Sequence, residues 1–188
     1  MVRITGGRLK GRNINSSDTV ELRPTTSFFR EWIFNVLNNI TSIDSLNILD
    51  LYSGTGIISF EFISRGAISS LAVEKNSSLA ALIRTGAVKL KLDNLDVINS
   101  DCKLFIKREA ESNGLKKYNV IFMDPPYSKD IADDILELLF SYKNGLSEDI
   151  ILIIETEKDK VLKTDSDFVI LKEKSSGTTK MTVIGRKE

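Results

Sequence analysis

Short apolar runs alternate with amphipathic stretches of helical length along most of this chain, and that alternation constrains the fold more than any other feature. Asn47 to Leu51, Ser70 to Glu74, Leu95 to Asn99, Tyr118 to Met123 and Ile150 to Ile154 each read as a short buried strand. Segments 57–65, 77–92, 102–112 and 129–142 lie between them, each with the length and spacing of a helix. Gly86 weakens the second of these helices, and Gly66 closes the first. Successive βα units of this length favour a mostly parallel sheet with helices on both faces and right-handed crossovers. The final two runs, near 167–173 and 178–185, are joined through Ser175-Ser176-Gly177. They are too close for a crossover helix and should pair as an antiparallel hairpin. The expected architecture is therefore an α/β fold with a mixed seven-stranded sheet. One more helix should follow the turn Arg23-Pro24-Thr25-Thr26, capped by Thr26 or Ser27, with Trp32, Ile33, Val36, Leu37 and Ile40 as its apolar face. Phe28 and Phe29 are either core residues, the favoured reading, or an extension of a substrate surface.

Composition removes several kinds of chemistry. The 188 residues contain no histidine and a single cysteine, Cys102. Serine–histidine and cysteine–histidine catalysis, histidine metal sites and an intrachain disulfide are all excluded. No apolar run reaches membrane-spanning length, and the opening MVRITGGRLKGR lacks the apolar stretch of a signal peptide, so a cytosolic protein is expected.

Charge is balanced overall, with 26 basic and 26 acidic side chains, but unevenly placed. Arg3, Arg8, Lys10, Arg12, Arg23 and Arg30 crowd the start against only Asp18 and Glu21. Within 171–187, Lys172, Lys174, Lys180, Arg186 and Lys187 stand against Glu173. Such ends suit local contact with a polyanion, and they equally suit a solvated surface. The opening has order of its own: Val2, Ile4, Leu9 and Ile14 bracket Gly6-Gly7 and Gly11, as in a short hairpin.

Three signals fall at strand ends. Asp50-Leu51-Tyr52-Ser53-Gly54-Thr55-Gly56 joins a strand to a helix, and its glycines permit tight turns and close approach to a ligand. The loop lacks both the three-glycine dinucleotide pattern and the Lys-Ser/Thr of a phosphate-binding loop. Glu74 ends the next strand, where a carboxylate can accept from both hydroxyls of a ribose or simply face water. Asp101 ends the third, as an acceptor for an adenine amine, an N-cap, or both. The decisive signal is Asp124-Pro125-Pro126-Tyr127, directly after the buried run ending at Met123. A carboxylate and a proline carbonyl can hold both N–H bonds of a planar exocyclic amine and turn its lone pair toward an electrophile. Tyr127 adds a face for stacking on a base.

On these residues the chain resembles methyltransferases that act on amino groups with S-adenosylmethionine. More narrowly it resembles the RsmD family of bacterial 16S rRNA (guanine-N2)-methyltransferases. The resemblance runs from Ile4-Thr5-Gly6-Gly7 and Lys10-Gly11-Arg12 through Leu22-Arg23-Pro24-Thr25, Arg30-Glu31, Phe34-Asn35, Gly54-Thr55-Gly56, Ser64-Arg65-Gly66-Ala67 and Val73-Glu74-Lys75 to Asp124-Pro125-Pro126-Tyr127 and the stretch from Gly177 to Ile184. Tyr52-Ser53, Thr85-Gly86 and Phe28-Phe29 depart from its usual pattern. The resemblance implies a Rossmann-like class I fold and methyl transfer to guanine N2. It assigns Asp124, Pro125, Pro126 and Tyr127 to catalysis. Asp50, Tyr52, Ser53, Gly54, Gly56, Glu74, Lys75, Asp101 and Cys102 would bind the cofactor, and no metal is required. Arg3, Arg8, Lys10, Arg12, Arg23, Thr25 and Arg30 would hold the RNA. Residues 1–22 would form a basic RNA-binding hairpin and 23–188 the methyltransferase domain, acting as a monomer on 16S rRNA within an assembled or assembling small subunit, away from membranes.

Other readings share parts of the pattern. An adenine-N6 methyltransferase of DNA or RNA also carries Asp-Pro-Pro-Tyr, but the DNA enzymes usually add a target-recognition region for which 188 residues leave little room. A glutamine-directed protein methyltransferase more often has asparagine in place of Asp124. A non-catalytic RNA-binding assembly factor would need the basic ends and not the pocket.

Overall fold

A computed structural model describes residues 1–14, 25–127 and 130–187. In chain order the described strands and helices are β1 (Val2–Arg3), β2 (Asn13–Ile14), α1 (Ser27–Leu37), β3 (Asn47–Leu51), α2 (Ile57–Ser64), β4 (Ser69–Glu74), α3 (Ser77–Leu90), β5 (Leu95–Asn99), α4 (Cys102–Glu111), β6 (Val120–Met123), α5 (Ile131–Ser141), β7 (Ile151–Glu157), β8 (Phe168–Ser176) and β9 (Thr179–Arg186). Among the described residues β3 to β9 form one seven-stranded sheet in the order β5-β4-β3-β6-β7-β9-β8. Neighbours from β5 to β7 are parallel, while β9 runs antiparallel to both β7 and β8. The expected mixed sheet and closing hairpin are both present.

Alternation along the strands divides the core. Ile48, Ala72, Phe122, Ile153, Met181 and Val183 face one layer with α1, α2 and α3. Leu49, Leu51, Val73, Met123, Ile154 and Ile184 face the other with α4 and α5. The chain runs outward from β3 through β4 to β5, then returns to β6 on the other side of β3. The point of reversal is the carboxyl edge between β3 and β6, where open α/β sheets leave a crevice for ligands.

Helix α2 is apolar almost all round and buried along its whole length. A helix of that kind needs cover on both sides. The sheet supplies one side, and the β1–β2 hairpin supplies the other. Ile4 and Ile14 join the same core as α2, and Ser64 Oγ donates to Gly6 O at 2.5 Å while accepting from Leu9 N at 2.9 Å. Gly7 makes the approach possible: at φ 72°, a Cβ would sit 1.9 Å from the Ser64 carbonyl oxygen.

Helix α1 begins at its expected cap, Thr26, whose side chain accepts from Phe29 N at 3.3 Å. Its buried face is Phe29, Arg30, Ile33, Phe34 and Leu37, with Trp32 and Val36 packed at the margin. Ile40 lies beyond the helix end and is exposed. The Phe28-Phe29 pair splits, with Phe29 buried and Phe28 47% exposed, because adjacent helical positions diverge in direction.

Candidate active site

The β3–α2 loop is held from below. Asp50 is buried, and its Oδ2 accepts from Ser59 N at 3.2 Å and Ser59 Oγ at 2.6 Å. Burial outweighs these bonds and raises its pKa to about 7. Ser53 Oγ donates to Asp50 O at 2.6 Å, and Tyr52 N donates to Cys102 Sγ at 3.3 Å. The Cys102 thiol is buried and pushed up to about 12, which makes it a packing group and not a nucleophile. Gly56 ends the loop at φ 73°, where a Cβ would lie 2.9 Å from Ile83 Cγ1, so both backbone and space require glycine.

Glu74 clamps this loop to the next strand end. Its two carboxylate oxygens accept from Gly54 N at 2.8 Å and Asn76 N at 2.7 Å. Each oxygen keeps a second lone pair. Asp101 caps α4 by accepting from Lys103 N and Leu104 N, and its other oxygen receives Lys75 Nζ at 3.2 Å. Burial opposes ionisation of Asp101, but the Leu104 N–H and Lys75 hold its pKa below the ordinary value.

Asp124 begins the loop after β6, and its N–H reaches back to Leu51 O at 3.5 Å across the β3–β6 boundary. Pro125 is buried, while Pro126 and Tyr127 are exposed. The Tyr127 hydroxyl donates to Glu155 Oε1 at 3.0 Å and lies 3.0 Å from Thr179 Oγ1. Burial raises the pKa of this phenol, so it stays a hydroxyl donor. Two strands of the closing sheet thus anchor the ring.

These elements enclose a cavity of about 790 Å³, lined by Asp50, Tyr52, Ser53, Gly54, Glu74, Lys75, Asp101, Cys102 and all four residues of the Asp124–Tyr127 loop. A second hollow of about 360 Å³ adjoins it along Pro125, Pro126, Tyr127 and Glu155. Five carboxylates line the larger cavity, Asp50, Glu74, Asp101, Asp124 and Glu155, against Lys75 and Lys103. That donor set fits a ligand carrying positive charge and hydroxyls, as S-adenosylmethionine does with its sulfonium, ammonium and ribose. Among the described residues no group of three or more acidic or cysteine side chains could hold a metal ion, and no helix is long and apolar enough to cross a membrane.

The residues expected to hold RNA do not form one set. Arg3, Arg8, Lys10 and Arg12 are exposed on the hairpin. Thr25 is buried and lines the cavity. Arg23 lies outside the described residues. Arg30 corrects the expectation: it is 4% exposed, and its guanidinium donates to Glu61 Oε1, Thr25 O and Arg3 O. Three of its five N–H groups are engaged inside the protein, and its burial keeps the guanidinium off the surface where a phosphate would lie. Glu155 and Glu61 escaped the sequence reading. The only hint of Glu155 was an acid placed directly after the apolar run ending at Ile154. Glu61 sits among apolar residues in a helix with no sequence sign of its two arginine partners.

A family profile described as conserved hypothetical protein 95 matches residues 2–185. The Haemophilus influenzae protein named ribosomal RNA small subunit methyltransferase D is 32% identical over 178 residues, spanning 94% of this chain and 89% of that protein. The protein of the same name from Buchnera aphidicola is 29% identical over 177 residues, spanning 93% of this chain and 87% of its own length. A solved structure from Haemophilus influenzae, provisionally assigned as a methylase, superposes with a TM-score of 0.83 at 28% identity, covering 100% of this chain and 99% of that one.

Proposed function

Because the chain belongs to the RsmD family, a family of small-subunit rRNA methyltransferases, we propose that it transfers the methyl group of S-adenosylmethionine to the exocyclic N2 amine of a guanine in 16S rRNA. The observation that carries this reading is the shared cavity. Asp124 to Tyr127 and, from the preceding loop, Asp50 and Tyr52 to Thr55 line one space at the strand-order reversal, while Gly56 lies outside that lining.

When bound, S-adenosylmethionine supplies an electrophilic methyl group activated by the neighbouring sulfonium. Glu74 would accept from the ribose hydroxyls and Asp101 from the adenine amine, and Asp50 would balance positive charge. The Asp124 carboxylate and the Pro125 carbonyl accept the two N–H bonds of the target amine. This fixes the nitrogen lone pair along the line of attack. The nitrogen would bond to the methyl carbon as the carbon–sulfur bond breaks and S-adenosylhomocysteine leaves, and the Asp124 carboxylate would stabilise the positive charge that develops on the amine. Tyr127, held by Glu155 and Thr179, offers its ring to the guanine, which must leave its stack to enter. The amine sheds its proton after transfer.

The basic hairpin residues Arg3, Arg8, Lys10 and Arg12 give the RNA its phosphate contacts. The net charge of zero favours local contact with a pre-shaped particle, an assembled or assembling small subunit in the cytoplasm, by a monomeric enzyme. The test is methyl transfer from labelled cofactor, with a chelator present, into free 16S rRNA, a protein-bound particle and the complete subunit. The expected product nucleoside is N2-methylguanosine. N6-methyladenosine, or no transfer to any of the three by folded, cofactor-binding protein, would contradict the proposal.

A further inference from the structure

Two lysines of the basic C-terminal stretch lie on the side of the sheet whose core layer includes the N-terminal hairpin. In β8, Lys174 pairs with Met181 and Lys172 with Val183 in the antiparallel register. Directly paired residues point to the same face, and Met181 and Val183 belong to the core layer that also contains α1 and the hairpin residues Ile4 and Ile14. Lys172 and Lys174 therefore project toward the layer that carries the basic hairpin. Two other cations of the C-terminal cluster are engaged: Arg186 donates to the Ser147 and Lys143 carbonyls, and Lys180 to the Lys160 carbonyl.

Phe28 lies on this side. It sits in the first turn of α1, three residues after cavity-lining Thr25. Its ring packs edge-on against buried Phe29 at 5.4 Å and remains 47% exposed. Lys174 Nζ stands 5.9 Å from the ring centroid. A half-exposed ring in edge-to-face contact with Phe29, with a lysine over it and cavity-lining Thr25 three residues earlier in the chain, combines the two parts of a single-stranded nucleic-acid site: an aromatic ring open to solvent and a phosphate partner that can swing from the ring to the backbone.

We propose that Phe28 and Lys174 form a docking site for a nucleotide flanking the target guanine, Phe28 stacking on its base and Lys174 meeting its phosphate, with Lys172 extending the track. This rests on the rRNA-methyltransferase reading and adds a contact outside the reaction pocket. It also gives a role to an aromatic pair that departs from the usual pattern of the family.

The test compares wild type, Phe28→Leu, Phe28→Trp and Lys174→Ala for binding of a 16S rRNA transcript across a salt series, with cofactor affinity measured alongside. Leucine keeps the apolar packing against Phe29 and removes the stacking face, whereas tryptophan keeps a face. Phe28→Leu should weaken RNA binding by about tenfold, the loss typical of one unstacked base, and Phe28→Trp should bind like wild type. Lys174→Ala should lower the salt slope by roughly one phosphate contact. Cofactor affinity should stay constant throughout. Phe28→Leu within twofold of wild type, Phe28→Trp as weak as Phe28→Leu, or an unchanged salt slope for Lys174→Ala would overturn the site. Where the free transcript is not bound, the same variants are compared on the protein-bound particle and the complete subunit, and wild-type protein that binds none of the three would overturn the proposed function as well.

Discussion

Glu61 Oε1 receives Arg30 Nε at 3.1 Å, and the same oxygen accepts from Thr5 N at 2.6 Å and Thr5 Oγ1 at 2.8 Å. The carboxylate is fully buried, and its second oxygen meets Arg65 Nε at 3.4 Å. One side chain in the middle of α2 therefore ties together α1, the N-terminal hairpin and the end of its own helix. Arg30 extends the link to Thr25 O at the cavity wall and to Arg3 O on the hairpin. The N-terminal hairpin and the cavity wall are thus joined through one buried hydrogen-bond network.

Glu61→Ala is expected to leave Arg30 buried without its counter-charge. Removing one partner of a buried pair typically costs about 3–5 kcal/mol. Denaturant unfolding should show a loss of that order, and hydrogen exchange at Thr5 and Leu9 should speed up ahead of exchange in the central strands. Unchanged protection at Thr5 and Leu9 would show that the hairpin is held by its apolar contacts alone.

Changing Arg8, Lys10 and Arg12 together to alanine should weaken rRNA binding and flatten its salt dependence. Each lost contact with single-stranded RNA removes roughly 0.7 from the log–log slope, so the change should approach 2 for three contacts. Cofactor titration should be unaffected, because none of the three lines the cavity. Equal slopes for variant and wild type would reduce the strip to a solvated surface.

Asp50 links the site to pH. Its folded pKa of about 7 stands above the ordinary 3.8. Between those values the unfolded chain releases a proton that the folded chain keeps, so this group lowers stability as pH rises through that window. A cationic ligand favours the carboxylate, so S-adenosylmethionine should bind more tightly as pH rises toward about 7, by at most roughly tenfold per pH unit, and level off above it. Calorimetry in buffers of different ionisation enthalpy should detect proton release on binding. Asp50→Asn should abolish both the release and this part of the pH dependence, and a variant that retained them would place the titrating group elsewhere.

The order of strands and helices was legible because apolar runs of strand length and turn residues speak locally, from Asn47 to the hairpin around Gly177. The ligand-facing loops were legible for a related reason: Gly54, Gly56 and the Pro125-Pro126 pair are backbone devices written in residue type. What sequence does not carry is which distant groups meet. Arg30 looked like its exposed neighbours Arg8 and Arg12 until its partners, Glu61 and the Thr25 and Arg3 carbonyls, were seen. Gly86 looked like a weakness in α3, but a Cβ there would lie 2.9 Å from the Phe60 ring, so the glycine permits α3 to pack on α2. Glu155, the anchor of Tyr127, belongs to a strand that carried no motif.

The most direct test of the account is single-turnover methyl transfer into 16S rRNA by Asp124→Asn, with cofactor saturating and the product guanine analysed at N2. The two side chains have nearly the same shape, so fold and cofactor affinity should be retained. The amide keeps an acceptor oxygen but loses the negative charge that favours the developing cationic amine. Loss of such a contact typically costs about 3–4 kcal/mol, and the chemical rate should fall by roughly 10²–10³. A rate within about threefold of wild type, far above that expectation, would contradict the account and would mean that the Pro125 carbonyl and base positioning suffice or that the amine reacts elsewhere.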